Sequence, residues 1–508
     1  MNHTTPEQIW KQYETGITFK EGLDLFDTVK VNEDFFVGRQ WEGVRANGLP
    51  TPVFNFIKRI VLYLVASAAT DNVKLNATPL SIAQGEGEGL CRLINSRFEA
   101  LFEQNKLPQL IRRFMRNAAV DGDACIYSWF DPDAVGEDGT PGTIRAQLLE
   151  NTRVIFGDPN CKAVQAQPYL IIARRERLEE VRREMAQEGL DGEGLQPGTD
   201  ETGDRFDAMC DGKVTTLMKF WKDTDTGTVH AVKTVRGATV RRAWDTGQKL
   251  YPIVWMSWES VPNCYHGQAA VTGLIPNQVF VNKLFAMTMI SLMTTAYPKV
   301  VYDRTRIPNW DNRVGAAIGV DLGAGSVSDV AKTIDPAAVS PQVGQFIELA
   351  ITMTKECLGA TDAALGEVRP DNTSAIVALQ KASQVPMELT RQDLYQCIED
   401  LGLIWLDLMG AYYGVRMVDG AAVDHTVLSG MSVAVKLDVG GSAYWSEIAQ
   451  LNTLDNLLSG GHITIVDYLE RVPKGYISGQ GELIEMLKQR EGEEVKALGA
   501  GNAEHADG

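Results

Sequence analysis

NQVFVNKLFAMTMISLMTTAY, residues 277–297, runs directly into PKVVYDRTRIPNWDNRVGAAIGVDLGAGSVSDVAKTIDP, residues 298–336, and the order of these two stretches decides the fold. The first predicts a helix from about Pro276 to Tyr297, with Pro276 suited to a first helical position and Pro298 stopping it. At 1.5 Å per residue it spans roughly 30 Å. Val279, Phe280, Val281, Leu284, Phe285, Met287, Met289, Ile290, Leu292 and Met293 lie on nearly every side of it. A helix apolar all round belongs in a core, a membrane or a subunit interface. The length suits a membrane span. Against one, Asn282 and Lys283 interrupt the segment, Ser291, Thr294 and Thr295 dilute its second half, and no other stretch matches it.

The second stretch is the size of a tiny subdomain, with two or three short strands and room for one short helix. Alone it is too small to be stable, so it needs the same unit from neighbouring subunits. A second apolar helix, about Pro341 to Leu358, returns the chain. Two helices bracketing a small insertion make a projecting stalk with a tip. The polar loop GATDAALGEVRPDNTS (359–374) then leads into a long helix from about Thr373 to Tyr413. Pro386 interrupts it, which predicts a bend near Ser383 to Met387.

Working toward the N-terminus, a short helix is followed by VNEDFFVGRQW and then by an apolar helix from about Phe56 to Ala69. Phe35, Phe36 and Trp41 around Gly38 read as core packing ahead of an aromatic plug. Helices follow at about Gly89–Gln104 and in LIRRFMRNAAV, which ends at Asp121-Gly122. Seven strand-like segments come next, at 124–130, 144–150, 153–158, 168–175, 213–223, 228–235 and 252–258, so residues 120–260 form a mixed, β-rich unit. The acidic stretch 189–204 reads as a surface loop. Toward the C-terminus the sequence predicts a strand at Ser432–Leu437 and helices at about Ser442–Ser459, Ile465–Val472 and Glu482–Ala497. Thr464 is a plausible N-cap and Gly460-Gly461 a C-cap signal. The small polar tail 498–508 is expected to be disordered.

With 508 residues, 44% hydrophobic and 22% charged, the chain can bury a sizeable core as several units. Its first residues are polar, without a basic and apolar leader, and predict a cytoplasmic start. Seven scattered cysteines without a CxxC pair read as reduced core residues. The six histidines form no ligand cluster, which argues against a metal enzyme. A net charge of −18 repels nucleic acid at long range, so DNA could be touched only at local basic points or surrounded without being held.

Tests for chemistry fail in turn. GxxxxGK[ST] is absent; GEGEGL (85–90) places glutamates where a phosphate would sit, and GAGSVS (323–328) precedes no helix of evident length. No GxSxG elbow is present. Asp121/Asp123 and Asp131/Asp133 lie in Gly/Pro-rich sequence and are expected to be solvated turn residues. No catalytic residue, cofactor or metal site emerges, and nothing supports an enzyme.

The order of stalk, tip, polar loop and kinked helix resembles the portal proteins of tailed bacteriophages. FFVGRQW, LPTPVFNFIKRIV, GLIPNQVFVNKLF, the helix ending in AYPKVV, and LLSGGHITIVDYLERVPKGYI carry the resemblance over most of the chain. It implies an α+β portal-type fold and a twelve-subunit ring at one vertex of the head, with a DNA channel through it. Residues 1–265 and 375–440 would be the wing, 266–297 and 338–358 the stem helices, 298–337 the clip, 359–374 the tunnel loop and 441–497 the crown.

The resemblance also implies a virion location, assembly in the host cytoplasm and no membrane. Its partners would be the terminase large subunit, which would carry the ATP hydrolysis, head-completion adaptor and tail proteins, major capsid and scaffolding proteins, and double-stranded DNA in transit. A mostly acidic or neutral lumen would let DNA slide. In the tunnel loop Arg369 is the one cation, beside Asp362, Glu367, Val368, Pro370 and Asp371, with Lys381 beyond; it would touch passing phosphates or pair with its acidic neighbours. In the clip, Arg304, Arg306, Trp310 and Arg313 would dock the packaging motor and later the adaptor, with packing inside the ring favoured for Trp310. A membrane-inserted oligomeric pore and a nucleic-acid-processing enzyme remain the alternatives.

Overall fold

The structure, a computed structural model, describes residues 5–69, 73–79, 86–136, 139–198, 212–295, 299–311, 313, 318–320, 325–334, 341–357, 387–418, 421–430, 433–439, 444–472, 481 and 483–487. It is α+β, and the chain builds it around two packed regions.

The larger core is assembled where helices meet a three-stranded antiparallel sheet. Helix α1 is Pro6–Gly22 and α2 Leu25–Val37, the latter closed by Gly38 at φ 100°. A helix end of this kind calls for a residue without a Cβ, because L side chains rarely take that backbone angle. Asn55 caps α3, Phe56–Ala68, by accepting from the Lys58 amide. Helices α4 (Glu86–Gln104) and α5 (Leu107–Asp121) follow. Leu110, Ile111, Phe114, Met115 and Ala118 recur at helical spacing on α5 and all face inward. The sheet has the order β3-β2-β9, with β2 Asp123–Val135, β3 Pro141–Leu149 and β9 Ile253–Ser257. The long helix Glu388–Tyr412 crosses this core, and Trp405, fully buried, donates its indole N–H to Ser128 Oγ at 3.1 Å.

The second region is a five-stranded antiparallel sheet, β4-β5-β6-β7-β8, formed by Val154–Phe156, Leu170–Arg177, Lys213–Lys222, Val229–Val235 and Ala238–Asp245. Ile9, Trp10 and Tyr13 of α1 pack on one face against Ile155, Ile171, Leu217 and Val232. The other face presents Phe156, Leu170, Ile172 and Phe220 to Tyr127, Tyr251 and Tyr265. Alternating residues along each strand therefore serve two separate apolar layers.

Several sequence expectations hold with their bounds moved by a few residues, including the helices at Phe56–Ala68 and Leu107–Asp121 and all seven strands. Phe36 is buried in the larger core and Trp41 bonds to the Pro52 carbonyl at 2.9 Å, the core-packing outcome. Thr464 caps Ile465–Arg471 in a reciprocal box with Asp467, and Gly461 ends the helix Tyr444–Ser459 region at φ 70°.

Four elements were not anticipated. Helix α6, Leu178–Gln187, buries Leu178, Val181 and Met185. Strand β1, Val73–Pro79, pairs antiparallel with β14, Val433–Val439, from the far end of the chain. Strand β8 is an edge strand, and Val415–Val418 pairs with Ala421–Asp424 as a hairpin. Gly402 is where the long helix meets the β1-β14 pair: a Cβ there would stand 2.8 Å from Leu75 and from Val435.

Candidate functional site

The predicted stalk exists as an antiparallel helix pair. Its first helix, α7, is Ala270–Thr295, so it begins six residues before the expected start and holds Pro276 in its interior. At the seventh position of the helix, the missing proline N–H removes the bond that residue 276 would otherwise donate to the carbonyl of residue 272. Its second helix, α8, is Pro341–Cys357 and packs along α7. Asn277 Nδ2 donates to Thr354 Oγ1 at 3.1 Å, which places the end of α8 beside the beginning of α7.

The two halves of α7 differ. Val271, Leu274 and Val281 are buried against α2, α3 and α5. A polar bracket fixes this half: Gln278 Nε2 donates to the Phe54 carbonyl at 2.8 Å and to Asn282 Oδ1 at 3.0 Å, and Asn282 Nδ2 donates to Gln40 Oε1 at 2.5 Å. Phe54 also stacks on Phe285 with centroids 4.0 Å apart. Beyond Ala286 the helix leaves this support. Met287 and Met293 are 66% and 62% exposed, with Met289 and Leu292 also open; on α8, Phe346, Leu349 and Met353 form an exposed stripe at helical spacing. Even the supported half is buried on one side only, with Phe280 49% exposed, so a single chain does not bury this helix all round.

At the tip, Lys299–Tyr302 pairs antiparallel with Ala331–Ile334. Ile307, 2% exposed, plugs the turn region, and its amide donates to the Asp303 carbonyl at 2.9 Å. Trp310 stacks on Tyr302, centroids 5.0 Å apart and planes 27° from parallel. Trp310 thus has a packing role within its own subunit. Arg306 pairs with Asp303 at 3.7 Å and Arg313 with Asp311 at 2.6 Å, all at the surface. The Thr305 hydroxyl and amide hold the Asp303 carboxyl below its usual range, and Arg313 does the same for Asp311. Arg304 is exposed. The structure therefore brings the four clip residues onto one small tip, with two of the three arginines already engaged by local acids.

The tunnel-loop residues Asp362, Glu367, Val368, Arg369, Pro370 and Asp371, together with Lys381, lie outside the described residues, as does the bend expected near Pro386 except for Met387. Asp121 and Asp123 correct the sequence reading: they are 9% and 1% exposed, not solvated turn residues. Asp123 heads β2 inside the sheet, and Asp121 ends α5 beside Arg116 and Glu33, where burial and the Glu33 charge push its carboxyl up. Asp131 and Asp133 lie within β2, not in a turn, at an irregularity in its pairing with β3 where the Asp131 carboxylate accepts the Asp133 amide at 3.2 Å. Residues 86–90 of GEGEGL are the start of α4 rather than a phosphate loop. No group of three or more potential metal ligands occurs among the described residues. Cys91, Cys125, Cys161, Cys264 and Cys397 are free thiols, Cys161 only half-buried. No helix among the described residues is long and apolar enough to cross a membrane.

Residues 179–418, which contain the five-stranded sheet from β6 onward, the stalk, the tip and the long helix, match the family model for the phage P22-like portal protein. Over those residues, just under half of its length, the chain is similar to the portal proteins of tailed phages. No curated protein matches it. The portal match stops at the Val415–Val418 strand, short of the C-terminal helices, and it leaves α1 to α5 outside, although FFVGRQW and LPTPVFNFIKRIV had carried part of the resemblance. The portal family is a structural one, in keeping with a tip and stalk that present packing surfaces and ion pairs.

Proposed function

We propose that copies of this chain form a ring of twelve at one vertex of a phage head, nucleating its assembly, passing double-stranded DNA during packaging and ejection, and joining head to tail. The observation that carries the reading is the apolar surface of the stalk. Met287, Met289, Leu292 and Met293 on α7, with Phe346, Leu349 and Met353 on α8, stand open on one chain, and no helix among the described residues is long and apolar enough to cross a membrane. Side chains of this size contribute on the order of 1 kcal/mol each when such exposure is removed. A neighbouring stalk in a closed ring covers them without a membrane.

In this reading residues 1–265 and 375–440 are the wing, 266–297 and 338–358 the stem, 298–337 the clip, 359–374 the tunnel loop and 441–497 the crown. The clip hairpin, at the far end of the stem, docks the terminase large subunit and afterwards the head-completion adaptor. Arg304 supports that role best, since Arg306 and Arg313 are held by Asp303 and Asp311 and Trp310 by Tyr302. Arg369 and Lys381 are the candidate DNA contacts in the channel. Capsid and scaffolding proteins surround the wing.

Leu349→Glu with Met353→Glu tests the reading. Burying two carboxylates in the stem interface opposes ring closure. The expected result is a folded chain, by circular dichroism, that sediments as a monomer or small oligomer where the unmodified chain forms a ring. A double variant that still closes into the ring would remove the stem interface from the account.

A further inference from the structure

Asp123 is the most heavily engaged carboxylate at the root of the stalk. Its Oδ1 accepts from Ser257 Oγ on β9 at 2.7 Å and from the Gly267 amide at 2.8 Å, and its Oδ2 faces His266 Nδ1 at 2.7 Å. Its side chain has no exposed area. His266 and Gly267 stand a few residues before Ala270, the first residue of α7. One carboxylate therefore joins β2, β9 and the segment that launches the stalk helix. The fit leaves no slack: a Cβ on Gly267 would stand 2.6 Å from both the Glu259 carbonyl and Ser257 Cβ.

In the tautomer that completes this set of bonds, His266 donates from Nδ1 to Asp123 Oδ2 while Oδ1 accepts the Ser257 hydroxyl and the Gly267 amide. Nε2 is then a bare acceptor, and it is buried without a partner. The rings of Trp255 and Tyr265 lie 5.6 and 4.1 Å from the imidazole. The other groups that act on this cluster are Lys20 from α1, Cys125 from β2, and Cys264 and Tyr265 from the segment before α7. Lys20, with no exposed area, donates to the carbonyls of Asn151, Thr152 and Val154 at 2.7, 2.9 and 2.7 Å. Asp123 attracts an imidazolium and Lys20 repels it. Burial is the largest influence and draws the His266 pKa below its ordinary value of 6.5.

We propose that His266 and Asp123 form an acid-labile joint between the three-stranded sheet and the root of the stalk helix, so that protonation of His266 at Nε2 loosens residues 257–270. A proton on Nε2 creates an N–H in an apolar enclosure without an acceptor, beside the Lys20 ammonium. An opened joint exposes the ring to water, where it takes the proton freely. The sign follows: a depressed folded pKa means that the closed joint is fully favoured above pH 6.5 and loses ground as pH falls below it. This device does not require the ring.

Hydrogen exchange read by mass spectrometry between pH 8 and pH 5, corrected for the intrinsic pH dependence of exchange, tests it. The expected result is exchange about tenfold faster at pH 5 in peptides spanning 257–270, setting in below pH 6.5, with the Glu388–Tyr412 helix unchanged. His266→Asn keeps a donor for Asp123 and cannot take the proton, so its profile should be flat. A flat wild-type profile, or the same rise in His266→Asn, overturns the proposal. Should His266→Asn fail to fold, the wild-type profile decides alone, because a rise shared equally by Glu388–Tyr412 overturns it as well.

Discussion

Gln278 and Asn282 stand one turn apart on α7, the Gln278 amide donating to the Asn282 carbonyl at 3.0 Å while Asn282 donates onward to Gln40. Both side chains are buried, 0% and 2% exposed, inside a helix otherwise read as apolar. In the sequence, Asn282 argued only against a membrane. In the fold it is the bolt that holds the supported half of the stalk to the turn-rich segment before α3.

Asn282→Ala should therefore cost more than an ordinary helix substitution to alanine, which is mildly favourable by propensity. It strands Gln40 Oε1 and one Gln278 donor in a dry site, and each unmet buried partner costs about 1–3 kcal/mol. Denaturant unfolding should show a lower midpoint. An unchanged or higher midpoint would mean that the bracket contributes nothing.

Lys20→Met probes a fully buried cation. The substitution leaves three carbonyls facing an apolar side chain, and stability at pH 7 should fall. Burial pulls the Lys20 pKa from 10.5 to about 7. Between those values the unfolded chain binds more protons than the folded one, so this group makes folding more favourable as pH rises from about 7 to 10.5. The wild type should gain stability across that window relative to Lys20→Met; parallel curves for the two proteins would contradict the assignment.

Trp405→Ala removes a fully buried indole that meets Phe102 edge-on at 5.9 Å and bonds to Ser128. Truncations of this kind cost about 3–5 kcal/mol. Thermal unfolding should move down by many degrees, or the protein should become insoluble. A near-wild-type melting temperature would show that the long helix is not central to the larger core.

Trp310→Ala separates the tip from the rest. The stack on Tyr302 is a local contact, worth about 1 kcal/mol beyond its area. Trypsin should cut faster after Arg304 and Arg306 in the variant, while the cleavage pattern of the β-rich region stays as it was. Unaltered cleavage at the tip would assign Trp310 to contacts outside its own subunit.

Much of this architecture was legible in the sequence wherever a single period dominates. Phe56–Ala68, Leu107–Asp121 and the segments of the two antiparallel sheets alternate or recur cleanly, and their bounds moved only slightly. The misses have particular causes. Leu178, Val181 and Met185 recur at helical spacing, but six charged and polar neighbours in LEEVRREMAQ mask them. Strand β8 carries Arg241, Arg242 and Asp245, as an edge strand can, because one side of it has no neighbour to bury. Strand β1 gains its partner from residues 433–439, a pairing that no local pattern announces. Arg304, Arg306, Trp310 and Arg313 lie close together in the sequence, yet the sequence could not show that Asp303 and Asp311 engage two of those arginines. His266 and Asp123 escaped notice because 143 residues separate them along the chain.

The most direct measurement of the central claim is the mass and symmetry of the purified chain in detergent-free buffer, by light scattering and negative-stain imaging. The account predicts a ring of about a dozen copies with a central hole. A stable monomer or dimer, or a protein that stays in solution only with detergent, would contradict it.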